Sequence, residues 1–242
     1  MGNLSIVIPC FNEAENLKTV FRRLDSLHKI NPEVEIVLVD NGSEDETSLL
    51  MEDYLFARKH FVKLVRIEKN IGYGHGIMVG ARIASGEVIA WTHADLQTDP
   101  VDVLKAYKMF VIHPDYPNCI LKGRRVGRNL IDALFTAGMS LISSLLLTVH
   151  LSDINAQPKM FHRSFLRKLN EPPTDFSLDL YLLYQAKFHN YPILELPVHY
   201  GKRIHGEAKG GGTFKGKWKL ILRTWNYLLK IKQNLRVFFS VK

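Results

Sequence analysis

In His93-Ala-Asp-Leu-Gln97 a carboxylate and a carboxamide stand two residues apart, directly after the apolar run Val88-Ile-Ala-Trp-Thr92. That places Asp95 and Gln97 at the carboxyl end of a buried strand, two residues apart, so both side chains leave the same face, because side chains alternate with a period of two. A carboxylate offered together with a carbonyl oxygen suits a hard divalent cation, Mg2+ or Mn2+. Mg2+ takes few protein ligands and completes its shell with substrate phosphates. The pair therefore points to a metal-bound phosphate ester rather than an ion store. The same segment, with Thr98, Asp99 and Pro100, is also built of ordinary turn residues, and taken alone it leaves a plain turn open.

Such residues need a scaffold, and the hydrophobic pattern supplies one. Residues 4–9 read as a first strand, followed by a helix over 13–29 that Asn12 caps and in which Leu17, Val20, Phe21 and Leu24 recur at helical spacing. Residues 34–40 are almost continuously apolar, as parallel strands buried on both faces are. Ser43 is placed to cap a helix over 44–60; a third strand spans 62–67, a glycine-rich turn 70–76, a helix 77–85 and a fourth strand 88–92. Strands alternating with helices predict an α/β fold with a mostly parallel sheet and helices packed on it. In such sheets ligands gather at the carboxyl ends of the strands. That rule brings residues 9–13, 40–43, 70–76 and 93–97 to one edge.

The second half is less regular. A helix is expected over 129–151, and Ala133 through Val149 carry no formal charge, yet Asp132, Thr136, Ser140, Ser143 and Ser144 recur as a polar stripe. The stripe favours an amphipathic helix over one that crosses lipid, lying either on a membrane surface or on the protein's own core. Over 217–239 a second helix puts Trp218, Ile221, Leu222, Trp225, Leu228 and Leu229 on one side and Lys219, Arg223 and Lys230 on another. Basic residues beside interfacial tryptophans fit an anionic membrane surface.

Composition bounds the answer. The chain has 242 residues, 46% of them hydrophobic, which suits one large globular domain rather than a disordered chain. Of the formal charge of +8, residues 201–242 hold +10, from eleven Lys or Arg against Glu207, which leaves −2 for residues 1–200. The body is near neutral and the basicity belongs to the tail, open to a membrane, a nucleic acid or a phosphorylated substrate. No nucleic-acid motif is present, and the basic residues are interleaved with an apolar helical face, so no nucleic-acid partner is expected. Cys10 and Cys119 have no C-x-x-C partner and no secretory leader is visible; a reducing, cytoplasmic setting is expected.

Six motifs in order carry a family resemblance. Ile6-Val-Ile-Pro-Cys-Phe-Asn-Glu13, Val39-Asp-Asn-Gly-Ser-Glu-Asp-Glu-Thr47, Asn70-Ile-Gly-Tyr-Gly-His-Gly76, His93-Ala-Asp-Leu-Gln97, the segment 153–163 and Arg203-Ile-His-Gly-Glu-Ala-Lys209 together resemble glycosyltransferase family 2, in the polyprenyl-phosphate branch typified by dolichyl-phosphate mannose synthase. The resemblance spans roughly residues 4–210 and implies a GT-A-type, Rossmann-like sheet with helices on both faces. A nucleotide-sugar half over 1–125, an acceptor half over 126–210 and a basic amphipathic tail over 211–242 are expected. By the same resemblance Pro9, Phe11 and Glu13 line the base and ribose, and Asp40 faces the base, where a carboxylate accepts from a ring N–H of uracil or guanine alike. For Pro9 the end of a strand, and for Asp40 a turn cap, remain open. Gly72, Gly74 and Gly76 let the backbone pass close to the donor, with His93 and Ala94 beside it. Asp95 and Gln97 match the metal positions, and Arg124 matches a family arginine after the next strand. Arg203 and Lys209 match cations for the diphosphate and acceptor phosphate, a role that suits a planar guanidinium and a flexible ammonium. Arg125, Arg128 and Lys202 read as solvated charges.

The chain departs from the family's pattern at three places. His93 replaces the first metal-motif aspartate, Asn155-Ala-Gln-Pro-Lys159 replaces a Thr-Gly…Phe-Arg pattern while keeping a cation at Lys159, and no transmembrane pair follows the catalytic domain. The implied reaction is an inverting displacement on a GDP- or UDP-linked sugar by a polyprenyl-phosphate oxygen, with Mg2+ or Mn2+ stabilising the departing diphosphate. An anionic acceptor needs no strong base, whereas a sugar hydroxyl does. Asp179 lies where hydroxyl-using relatives keep that base, or serves the dipole of a helix start. A transferase with a sugar-hydroxyl acceptor in polysaccharide or glycolipid synthesis is therefore the competing enzyme. A membrane adapter with a degenerate nucleotide-sugar site is the competing reading of another class. The expected location is peripheral, on the cytoplasmic face of a membrane.

Overall fold

A computed structural model of the protein describes residues 3–127, 130–147, 149–201, 203, 222 and 225–229, with the side chains of 130–135 and 139 outside that description. Seven strands, β1 (Leu4–Cys10), β2 (Glu35–Asn41), β3 (Val62–Ile67), β4 (Val88–Trp91), β5 (Ile120–Val126), β6 (Lys159–His162) and β7 (Ile193–His199), form one sheet. Their order is β3-β2-β1-β4-β6-β5-β7. Only β6 runs antiparallel to its neighbours, so the sheet is the mostly parallel α/β type that the pattern predicts. The helices are α1 (Ala14–Ile30), α2 (Thr47–Phe56), α3 (Tyr73–Ile83), α4 (Asp102–Val111), α5 (Leu130–Leu147) and α6 (Leu178–Phe188), with a 3-10 turn at Arg163–Lys168.

The core explains the arrangement. On β1, Leu4, Ile6 and Ile8 are buried with Leu17, Val20 and Leu24 of α1, Met51 of α2 and Val103 and Phe110 of α4. Alternation sends Val7 to the opposite face. There a Cβ on Gly80 of α3 would meet Val7 Cγ1 at 2.5 Å and Val39 Cγ2 at 2.8 Å, so α3 lies close against the second face. Both faces of β1 and β2 are thus covered, which is why their sequences are nearly unbroken apolar runs. The register Cys10↔Asp40 and Val7↔Trp91 brings the carboxyl ends of β1, β2 and β4 to one edge.

Local capping departs from expectation. The cap positions of α1 and α2 are Glu13 and Glu46, and neither helix has a side-chain cap. Asn12, at φ 52°, instead accepts from the Glu44 N–H at 2.8 Å through its side chain, while its own N–H donates to Ser43 Oγ at 3.1 Å. Asn12 and Ser43 therefore fasten two loops to each other. The backbone N–H of Glu13 adds a bond to Thr47 Oγ1 at 2.8 Å.

The chain divides into two compact units, residues 1–127 with 155–206 and residues 128–154 with 207–242. The first holds the entire sheet. In the second, α5 is amphipathic: Ser143 is fully buried and Ser140 nearly so, whereas Leu141 is 61% and Leu145 70% exposed. Ser144 Oγ donates to the Ser140 carbonyl at 2.7 Å. Residues 225–229 are helical. Leu228 is buried while Leu222, Trp225 and Leu229 are exposed, so the single apolar face expected there is split. Trp218, Ile221, the Asp132 side chain and most of 217–239 lie outside the described residues.

Candidate active site

β4 stops at Trp91, and Leu96 adopts a left-handed φ of 57°. The chain turns here instead of staying extended, so Asp95 and Gln97 meet by a turn and not by strand alternation. Asp95 Oδ1 accepts the Gln97 backbone N–H at 3.1 Å. The other oxygen, Oδ2, accepts from Arg203 Nη2 at 2.7 Å, and His93 Nδ1 lies 3.6 Å from it. Burial pushes the Asp95 carboxyl up, but the hydrogen bond and charge of His93, the charge of Arg203 and the Gln97 N–H together hold it below the usual carboxylate range.

Gln97 ties this turn to the chain after β7. Its side-chain oxygen accepts from Tyr200 Oη at 2.9 Å, and its carbonyl accepts from the Gly201 N–H at 2.8 Å. The Arg125 guanidinium lies 5.2 Å above the Tyr200 ring. Arg125, expected to be a solvated charge, therefore packs one residue away from the metal motif, because β5 and β7 are paired and place Arg125 beside the Tyr200 end.

A buried polar cluster adjoins His93. Lys159 Nζ lies 3.0 Å from Asp179 Oδ1, and both residues are buried, at 0% and 1% exposure. Lys159 also donates to the Ala156 carbonyl at 2.7 Å. Gln157 Nε2 donates to Asp179 Oδ1 at 3.2 Å and to Tyr73 Oη at 3.1 Å. The Tyr73 hydroxyl donates to Asp179 Oδ2 at 3.4 Å and lies 2.9 Å from His93 Nε2. Burial and the Asp179 charge push the Tyr73 hydroxyl well above its ordinary range. Lys159 and Asp179 are thus each other's partners: a buried ion pair needs its partner, and this pair holds β6 to the first turn of α6.

On the nucleotide side, Pro9 is the second-last residue of β1, and Phe11 and Glu13 follow on the loop fastened to residues 43–47. Glu13 Oε2 accepts from Asn16 Nδ2 at 2.7 Å. Asp40 is buried; its Oδ1 accepts the Ser43 N–H at 3.0 Å, and its Oδ2 accepts the Ser48 hydroxyl. The turn role left open for Asp40 is the one this geometry displays. A Cβ on Gly74 would meet the Pro173 carbonyl at 2.3 Å, so the turn packs closely on residues 173–175. Ala94 is buried beside Asp95. Arg124 is half-exposed with its Nε 3.8 Å from Glu195 Oε2. Lys209, with Arg128 and Lys202, lies outside the described residues.

Sequence reasoning brings His93, Asp95, Gln97 and Arg203 to one place, and the structure joins them. It missed Tyr73, Gln157, Tyr200 and Arg125. Tyr73 and Gln157 sit inside quoted motifs whose glycines and lysine drew the attention, and Tyr200 meets Gln97 across 103 positions, with no local pattern to announce it.

Among the described residues no three His, Cys, Asp or Glu side chains cluster as a metal cage. One ionised carboxylate and one carboxamide oxygen instead fit Mg2+ or Mn2+ whose shell is completed by diphosphate oxygens. Asp95 and Gln97 are the residues that would hold it.

Comparison with known proteins agrees with this geometry. The sequence profile described as Glycosyl transferase family 2 matches residues 5–169. An undecaprenyl-phosphate 4-deoxy-4-formamido-L-arabinose transferase of Pseudomonas fluorescens is 27% identical over 220 residues, 85% of this chain and 59% of that protein. A dolichol-phosphate mannosyltransferase of Pyrococcus furiosus is 28% identical over 225 residues, 88% of this chain and 60% of that one. This chain thus spans about 60% of the length of these two relatives. Among solved structures, a mannosyltransferase of Pyrobaculum calidifontis in complex with GDP-Man and Mn2+ superposes with a TM-score of 0.65 at 19% identity, covering 87% of this chain and 59% of that one. At that identity the likeness is one of fold.

Proposed function

The chain belongs to glycosyltransferase family 2, and from that premise we propose that it transfers a sugar, with inversion, from a GDP- or UDP-linked donor to a polyprenyl phosphate. The observation that carries the acceptor class is the state of Asp179. A sugar hydroxyl needs a general base to take its proton, and the carboxylate placed for that work is buried against Lys159 at 3.0 Å. A phosphate arrives already anionic and needs none. The names of the two relatives, built on undecaprenyl phosphate and dolichol phosphate, support the same acceptor.

Asp95 and Gln97 would hold Mg2+ or Mn2+, which when bound supplies Lewis-acid stabilisation of the departing nucleoside diphosphate. Arg203 brings a fixed guanidinium to the same point, where negative charge accumulates as the donor bond breaks. Lys209 adds a second cation for the acceptor phosphate, and Arg124 a third at the end of β5. Pro9, Phe11, Glu13 and Asp40 frame the nucleotide on the loops locked together by Asn12 and Ser43. His93 and Ala94 border the sugar.

Within this proposal residues 1–210 carry the chemistry and residues 211–242 attach the protein to an anionic membrane surface on its cytoplasmic side. No helix among the described residues is long and apolar enough to cross a membrane. The exposed Leu141 and Leu145 of α5 and the +10 tail support surface attachment.

The test is incubation of the purified protein with a panel of GDP- and UDP-sugars, Mn2+ or Mg2+, and polyprenyl phosphate, scoring released nucleotide and glycolipid. Metal-dependent formation of a polyprenyl-phosphate sugar is the expected result. Transfer to sugar hydroxyls with none to polyprenyl phosphate overturns the acceptor, and donor binding without any transfer overturns the enzyme.

A further inference from the structure

We propose that Tyr73 is a positioning residue that pins the His93 imidazole beside Asp95, and that Lys159, Asp179 and Gln157 are the buried frame that fixes Tyr73. The inference rests on the transferase reading only in taking His93 to border the donor.

Two places where this chain departs from its family's pattern, His93 and the segment 155–159, lie far apart in sequence but meet at one phenolic oxygen. Four side chains face Tyr73 Oη: His93 Nε2 at 2.9 Å, Gln157 Nε2 at 3.1 Å, Asp179 Oδ2 at 3.4 Å and the Trp91 indole. A phenol donates one hydrogen bond and accepts others, a carboxamide nitrogen only donates, and a carboxylate only accepts. Gln157 must therefore donate to Tyr73. The tyrosine proton then goes either to Asp179, with His93 Nε2–H donating inward, or to His93 Nε2. Nδ1 faces Asp95 Oδ2 and, opposite a carboxylate, carries a proton, so the first arrangement needs the imidazolium and the second the neutral ring; Nε2 is fixed in both.

The ring is fixed as well as the hydroxyl. Tyr73 stacks on Phe176 at 4.6 Å and 12°, and meets the His93 ring edge-on at 5.4 Å and 86°. Below it, the Lys159–Asp179 pair is neutral as a unit and fully buried, so the frame has no solvent-exposed charge to let it drift. His93 keeps 29% of its side chain exposed, and Tyr73 and Phe176 are half-buried. The network thus ends at the edge where the donor is proposed to bind. An imidazole left unsupported there would sample several rotamers; held by Nε2, it presents one edge to Asp95 and the donor, as supporting hydrogen bonds orient groups next to metal ligands elsewhere.

The experiment removes only the hydroxyl. Tyr73→Phe keeps the stack on Phe176, and Phe176→Leu disturbs the stack while keeping the hydroxyl. Long-range 1H–15N imidazole spectra, with His93 assigned by its loss in His93→Ala, read the nitrogen environment without any turnover. Tyr73→Phe is expected to shift the His93 Nε2 resonance and Phe176→Leu to leave it in place. Against nucleotide sugar, Tyr73→Phe should lower kcat/KM about tenfold, the scale of one hydrogen bond. Combined with His93→Ala it should add little to the loss from His93→Ala alone, because the two act as one unit. An unmoved Nε2 resonance in Tyr73→Phe, or fully additive losses in the double variant, overturns the proposal. If the wild-type protein turns over no nucleotide sugar the transferase reading fails, and the spectra still decide the positioning role.

Discussion

Asp95 is held between the Arg203 guanidinium, the His93 ring and a backbone N–H, so its negative charge organises everything that touches it. Asp95→Asn keeps the shape and the Gln97 turn while removing that charge. Transfer should fall by about two orders of magnitude or more, the scale on which one charge-stabilising group acts. Mn2+ binding measured by calorimetry should be lost, with a lowered thermal melt because Arg203 loses its charged partner; full activity in EDTA contradicts the metal role. Asp179 calls for the opposite result. With Lys159 fully buried against it, Asp179→Asn strands a buried ammonium and should cost about 3–5 kcal/mol of stability. Activity per folded molecule should survive to a large extent. A stable Asp179→Asn protein that is inactive makes Asp179 a base and the acceptor a hydroxyl. At this scale the sequence displayed the side chains of the metal turn, because Asp95 and Gln97 are close along the chain. It did not display what each one touches: Lys159 and Asp179, 20 positions apart, are brought 3.0 Å from each other only by β6 and α6.

Elements were legible where their pattern is local. β1, β2, β3 and β4 were each predicted to within a residue or two, since parallel strands covered on both faces write themselves as apolar runs. β5, β6 and β7 were not resolved as elements, because β6 is four residues long and β5 carries Lys122, Gly123, Arg124 and Arg125. Lys122 is tolerated inside the sheet by Glu195 on β7, 2.8 Å away, a partner that no window of sequence reveals. Helix starts failed for the same reason: Asn12 and Ser43 are good caps by type, but each was claimed by the other's loop. One element junction titrates. Glu35 at the start of β2 accepts from Ser5 of β1, from Lys63 of β3 and from Ser85 ahead of β4. Burial pushes its carboxyl up, yet the bonds from Lys63, Ser5 and Ser85 win and hold it at about 2, against 4.5 for the free group. A lowered folded value means stability that is fully present above pH 4.5 and lost as pH falls through 2. Glu35→Gln should be less stable than wild type at pH 7, with the difference narrowing as pH drops from 4.5 towards 2. Acid titrations of both proteins followed by circular dichroism check this, and parallel curves rule it out.

At the scale of the molecule, charge and apolar exposure fall in the same unit. Residues 128–154 and 207–242 cluster together, and residues 207–242 carry a formal +8, nine Lys or Arg against Glu207. On α5 the serines are the buried side, and Leu141, Ile142 and Leu145 are exposed. Exposed leucines on α5 and a basic tail in the sequence match the two forces that hold a peripheral protein on a bilayer, apolar burial and attraction to anionic headgroups. The protein should therefore bind liposomes containing anionic lipid and bind neutral ones more weakly. Raising salt from 0.1 to 1 M, which shortens the screening length from about 10 Å to about 3 Å, should weaken the first and spare the second. Leu145→Glu should reduce binding to both kinds about tenfold or more, since burying one leucine side chain is worth about 1.5–3 kcal/mol and a carboxylate is repelled as well. Nucleotide-sugar binding should be untouched, because Leu145 belongs to a different compact unit from Asp95 and Arg203. Cosedimentation with vesicles, run beside calorimetry of the donor, reads both quantities on one preparation. Unchanged vesicle binding by Leu145→Glu would remove α5 from the attachment and leave the basic tail to act alone.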